Sequence, residues 1–108
     1  MAEWQVAWTT TAVSDLGDIV EHIAQDDPTA ALAALKRLRV RAAALRTPPQ
    51  RGPVVPELRE AGAFHYNELQ ENLWRILYRI DGRRVLVLAV LDSCRDLQTL
   101  LLERLIRR

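Results

Sequence analysis

From Glu3 to Thr9 apolar and polar positions alternate, with Trp4, Val6 and Trp8 on one side and Glu3, Gln5 and Ala7 on the other. A period of two predicts a half-buried strand. The period then lengthens. Val13, Leu16, Val20 and Ile23 follow at steps of three, four and three, which predicts an amphipathic helix over about residues 12–25. The threonine run Thr9 to Thr11 supplies its N-cap, and Asp15 and Asp18 sit near its positive end. Asp27-Pro28 predicts a second helix start, a capping carboxylate followed by proline where a missing N–H breaks no bond. The apolar stripe of this second helix is Ala31, Leu35, Leu38, Ala42 and Leu45, with Lys36, Arg37 and Arg41 off it, and it stops before Thr47-Pro48-Pro49. Two helices joined by so few residues form an antiparallel hairpin.

Residues 47–62 hold four prolines and two glycines, so this stretch reads as a surface loop with short turns. Three strand-like pieces follow, at 66–70, 73–80 and 85–91, the last two joined through Asp81-Gly82, a strong hairpin signal. The last piece is apolar on both faces and is expected in the middle of the sheet. In the middle piece Trp74, Ile76, Tyr78 and Ile80 share one face, and Leu73, Arg75, Leu77 and Arg79 the other. A closing helix over about 96–107 repeats Leu97, Leu100, Leu101 and Leu105, with Arg104, Arg107 and Arg108 at its negative end. The expected order is β-α-α-β-β-β-α. This is an α+β fold in one domain, residues 1–108, with an N-terminal strand, a helical hairpin over one face of an antiparallel sheet, and a C-terminal helix.

Composition narrows the chemistry. Among 108 residues, 49% hydrophobic, Cys94 is the single cysteine and His22 and His65 are the only histidines. That excludes an internal disulfide and a zinc constellation, and no cofactor motif occurs. Cys94 reads as a small apolar filler. The longest apolar run, 85–91, cannot span a bilayer, and Met1 to Gln5 lacks the opening of a signal peptide, so no membrane partner and a cytoplasmic location are expected. The net charge of +1 hides a division: residues 1–35 carry six acids and no Lys or Arg, whereas residues 36–59 carry seven bases and one acid. Such a basic block faces nucleic acid or an acidic protein segment, or is simply a solvated helix face. Fourteen of the 15 bases are Arg, which suits bidentate contacts with phosphate or carboxylate.

The residues resemble the RelE/ParE superfamily of bacterial toxins from toxin–antitoxin pairs. The resemblance runs through the strand-to-helix start from Trp8 to Leu16, the Ile19 to Asp26 stretch with Asp27-Pro28, and Gly52-Pro53-Val54-Val55-Pro56-Glu57-Leu58. It is strongest in Leu73-Trp74-Arg75-Ile76-Leu77-Tyr78-Arg79-Ile80-Asp81-Gly82, and continues through the 85–91 strand to Arg95-Asp96-Leu97. The chain departs from the ParE-like pattern at Tyr66-Asn67-Glu68-Leu69, which lacks an arginine, and at Asp92-Ser93, where a His-containing turn is frequent.

Two mechanisms are implied by this resemblance. RelE-like toxins cleave mRNA on the ribosome by attack of a ribose 2′-OH on the adjacent phosphate, which needs cationic groups on the developing charge and proton transfer at two oxygens. Arg75 matches their strand arginine, and Arg79 adds charge on the same face. However, no His or Tyr follows Tyr78, the single lysine is Lys36, and His65, Tyr66, Glu68 and Glu71 are proton-transfer candidates that no spacing singles out. ParE-like toxins inhibit DNA gyrase without a catalytic set of their own. The reading is therefore a ParE-like, non-catalytic toxin that inhibits DNA gyrase and is neutralised by a cognate antitoxin in a hetero-oligomer; the alternatives are a RelE-type nuclease acting on ribosome and mRNA, and a non-toxic binding relative. Candidate target or antitoxin contacts are Lys36, Arg37, Arg41, Arg75, Arg79 and Arg95, with neither metal nor cofactor. In the plainer reading Arg79 pairs with Asp81 or Glu68, Trp4 and Trp8 pack in the core, and a last helix lying over the Arg75 face would block it for RNA.

Overall fold

The computed structural model describes residues 4–47 and 52–92. Its elements are β1 (Gln5–Trp8), α1 (Thr10–Ala24), α2 (Pro28–Ala43) running into a 3-10 turn (Ala44–Arg46), α3 (Pro56–Glu60), β2 (Asn67–Glu71), β3 (Trp74–Asp81) and β4 (Arg84–Asp92). The α+β class and the helical hairpin are as expected. The expected C-terminal helix over 96–107, with Cys94 and Arg95, lies outside the described residues. One element was not expected: α3, a single turn that Pro56 opens with its φ already helical.

The sheet order is β1-β4-β3-β2. β2, β3 and β4 form the antiparallel meander, whereas β1 pairs parallel to β4, so the four-stranded sheet is mixed rather than antiparallel. The reason is topological. The chain leaves β1 through two helices and a hairpin strand pair before β4 returns beside it, and β4 is central as its two apolar faces predict. Gly82 at φ 61 makes the β3–β4 turn in the left-handed region where glycine has no Cβ penalty.

The hairpin packs on one face of this sheet. Leu38, Ala42, Leu45 and Ala12 meet Ile76, Tyr78, Val85, Val87 and Val90, with Trp4, Val6, Trp8 and Trp74 around them. Thr9 caps α1 by accepting from the Ala12 N–H at 3.2 Å, and Asp27 caps α2 by accepting from the Ala30 N–H at 3.1 Å. The α1 stripe is rotated from the expected one. Val13 is 57% exposed, Ala12 and Ile19 join the expected Leu16 against the core, and Val20 and Ile23 are half-buried. The orientation is fixed by ties to β4. The Thr9 N–H and hydroxyl both donate to the Val87 carbonyl, at 3.0 and 3.2 Å, and the Asp15 carboxylate accepts the Val90 N–H at 3.0 Å.

Those ties mend a local defect. β4 slips register against β3 between the Leu77–Ala89 and Tyr78–Val87 pairs, leaving Leu88 as an extra, bulged residue. β1 ends opposite Val87, so it cannot pair the edge of β4 beyond that point. α1 takes its place, supplying Thr9 and Asp15 as partners. On the opposite face Val55 and Leu58 cover Leu77, Ala89 and Leu91, a second and smaller core. The segment 52–66 therefore roofs only one half of that outer face.

Candidate functional site

The alternation of β3 places Arg75, Leu77 and Arg79 on the outer face, as expected. Arg75 meets two carboxylates there. Glu57 comes from the first turn of α3, and Glu68 from β2, opposite Leu77 and thus diagonal to Arg75. Arg75 Nη1 and Nη2 donate to the two Glu57 oxygens, both at 2.9 Å, while Nη2 also donates to Glu68 Oε2 at 2.9 Å and Nε to Glu68 Oε1. Both edges of the guanidinium are engaged in bidentate geometry. The Arg75 side chain is only 13% exposed, Glu68 12% and Glu57 27%.

The electrostatics follow from that geometry. The hydrogen bonds from Arg75 hold the Glu57 carboxyl below its ordinary range against the opposing effect of burial. In return Glu57, and then Glu68, hold the guanidinium firmly in its charged form. Three groups together carry one negative charge, so an incoming phosphate meets no free cation here. To bind Arg75 it would have to displace a carboxylate. The cluster does anchor the roof to the sheet. Beside it the Gly52 N–H donates to Tyr78 Oη at 3.1 Å, Asn67 Nδ2 donates to the Gly52 carbonyl at 2.9 Å, and the Val55 N–H to the Tyr66 carbonyl at 2.9 Å. Burial pushes the Tyr78 phenol up from its ordinary range, with the Gly52 N–H acting in the opposite sense.

The other candidates fall into separate places. Arg79 is half-buried and, among the described residues, pairs with neither Asp81 nor Glu68, contrary to the plainer expectation. Glu68 is taken by Arg75. Arg37 and Arg41 stand exposed on α2 and approach Glu71 at 4.0 and 3.9 Å, loose contacts that leave most of their charge to solvent. Lys36 is exposed beside them, and Arg95 lies outside the described residues. Glu71 pairs with Trp74 in register, on the face opposite Arg75, so the basic candidates do not form one surface. His65 is exposed and Tyr66 packs under α3 against the small core.

Two features had no sequence signal of their own. Glu57 reads in the sequence as one acid in a proline-rich loop, and only the fold brings it to Arg75. A cleft of about 540 Å3 opens between α1 and the end of the β3–β4 pair, lined by Asp15, Asp18, Ile19, His22, Trp74 and Asp92 among others. Its lining mixes three aspartates with apolar side chains, Asp15 being the buried one and Asp18 and Asp92 exposed. Among the described residues no group of His, Cys, Asp or Glu is placed to hold a metal ion, and no helix is long and apolar enough to cross a membrane.

Comparison with known proteins bears on the whole arrangement. The family described as ParE toxin of type II toxin–antitoxin system, parDE, matches residues 6–97. The fold is similar to that of a solved chain of the chromosomal ParDE toxin–antitoxin system from P. aeruginosa, with TM-score 0.69, 20% identity and coverage of 82% of this chain and 95% of that one. It is also similar to a chain of the RelBE2 toxin–antitoxin complex from Mycobacterium tuberculosis, with TM-score 0.58, 25% identity and coverage of 88% and 97%. No curated protein matches.

Proposed function

The chain belongs to the ParE toxin family of type II toxin–antitoxin systems, and from that premise we propose that it acts in the cytoplasm as a protein-binding inhibitor of DNA gyrase, held inactive by a cognate antitoxin. The observation that supports binding over catalysis is the state of Arg75. It occupies the strand position that a RelE-like nuclease would use on the scissile phosphate, yet Glu57 and Glu68 engage both edges of its guanidinium. A group already neutralised by two carboxylates adds little stabilisation to a phosphorane.

The antitoxin surface in this reading is the exposed side of α2. Leu32 and Val40 are 67% and 63% exposed there, beside Lys36, Arg37 and Arg41. An amphipathic antitoxin segment with acidic flanks satisfies both features, its carboxylates competing with Glu71 for the two arginines. Neutralising Lys36, Arg37 and Arg41 together should lower antitoxin affinity and flatten its salt dependence; an unchanged affinity and slope would remove this surface from the account.

The target reading is tested by controlled induction of the chain without antitoxin, in cells carrying a DNA-damage reporter. Growth arrest with a rising reporter signal is expected. Arrest with a flat signal and cleaved mRNA would move the assignment to a RelE-type nuclease, and undisturbed growth of cells holding soluble protein would make the chain a non-toxic relative.

A further inference from the structure

The arginines of the described residues divide into those with a carboxylate within 4.0 Å, namely Arg37, Arg41 and Arg75, and those with none. Four of the second kind gather at one end of the sheet. Arg83 and Arg84 follow the Asp81-Gly82 turn; Arg79 lies two pairs further along the same outer face as Arg84, whereas Arg83 turns to the hairpin side. The 3-10 turn adds Arg46, because the Trp4 N–H donates to the Arg46 carbonyl at 3.0 Å and the Gln5 N–H to the Arg83 carbonyl at 2.9 Å. Arg83 is held in place: its guanidinium lies 5.3 Å from the centre of the Trp4 ring, whose own body packs against the main core. Asp81 is in register with Arg84, yet among the described residues none of these four arginines has a carboxylate within 4.0 Å. Arg46, Arg83 and Arg84 are exposed and Arg79 is half-buried, so the excess of positive charge sits mainly at the surface.

We propose that this rim is a binding site for the phosphate backbone of double-stranded DNA, a surface distinct from the Arg75 cluster and from α2. Two observations separate DNA from an acidic protein segment as the occupant. The exposed large apolar residues Val13, Leu32, Val40, Phe64 and Leu73 all lie elsewhere, so the rim offers charge without the apolar anchors that give protein interfaces their affinity. Backbone recognition needs no such anchor; it is driven by release of counterions as arginines replace them. The rim also draws its arginines from a helix end, a hairpin turn and a strand, a row that crosses the end of the sheet from its outer face to its hairpin side rather than a pocket, which suits separate phosphates each taken by a guanidinium fork.

The test is fluorescence anisotropy of a labelled 20-base-pair duplex of arbitrary sequence titrated with the full chain over a range of salt. Binding should weaken with salt at a log–log slope of about −3, as for three or four phosphates. Arg46→Gln/Arg84→Gln should bind at least tenfold more weakly with a slope reduced by about 2, one for each phosphate no longer neutralised. The charge-matched Arg39→Gln/Arg59→Gln, whose arginines are exposed on α2 and α3 away from the rim, should stay within about twofold of the parent. Equal weakening in both double variants would make the binding a general charge effect and overturn the site, and so would tighter binding of poly-glutamate than of the duplex, which would make the rim a protein-binding surface. The outcome is independent of the gyrase reading, since neither measurement involves the toxin's target.

Discussion

Arg75 and Arg79 occupy the same face of the same strand four residues apart, and the alternation of β3 treats them alike. Their surroundings differ completely. The segment 52–66 folds back over the half of the sheet that holds Arg75 and brings Glu57 to it, while Glu68 closes the other edge from β2. No described acid of that segment pairs with Arg79, which keeps its charge for solvent or a partner. A strand pattern decides which face a charge shares; the covering segment decides whether that charge is available. By that contrast Arg75 holds the structure together, and the open arginines at the turn end and on α2 are the ones that can meet other molecules.

The largest expected effect would break this contrast outright. Arg75→Ala leaves two carboxylates facing each other under the roof and should cost about 2–4 kcal/mol in urea unfolding, most of it from uncompensated charge. If Arg79→Ala destabilises equally, the distinction is lost. Next comes the roof itself. A Cβ at Gly52 would press on the Tyr78 hydroxyl and stand 2.5 Å from the Glu68 carbonyl oxygen, so Gly52→Ala should cost roughly 1–3 kcal/mol while leaving the α1–α2 hairpin protected in hydrogen exchange. A somewhat smaller loss, about 1–2 kcal/mol, is expected for Asp15→Ala, which strips the buried Val90 N–H of its acceptor where β1 no longer reaches.

Acid should loosen the roof before the hairpin. Glu57 has a folded pKa below its ordinary 4.5, so its pairing contributes stability above that value and loses it as pH falls through the lowered folded value. This acid limb should shrink in Arg75→Ala, measured as the pH dependence of the unfolding midpoint. Least affected is Arg79→Ala, within about 0.5 kcal/mol of the parent, as for a half-buried arginine that no carboxylate pairs.

Much of the fold was legible because local signals agreed with one another. Thr9 and Asp27 cap the helices they were expected to cap, the Ala31 to Leu45 stripe is buried apart from the half-buried Leu35, and the two-sided apolar strand is central. What the pattern missed depends on residues far apart in sequence. The parallel pairing of β1 with β4 joins residues about eighty positions apart, and the bulge at Leu88 carries no local mark. Asp15 looked like a helix-end acid, whereas it is a buried substitute for a missing strand. The candidate site shows the same division. Arg75 and Arg79 were placed on their face by alternation alone, but no spacing could have paired Arg75 with Glu57 across a proline-rich loop, or separated either arginine from those of α2.

We infer that this toxin acts by binding a protein target while Arg75 serves the fold. The most direct test adds purified full chain to two reconstituted systems, DNA gyrase with relaxed plasmid, and ribosomes programmed with mRNA. Loss of supercoiling with intact mRNA is expected. Unimpaired supercoiling together with mRNA cut in the ribosomal A site would contradict it.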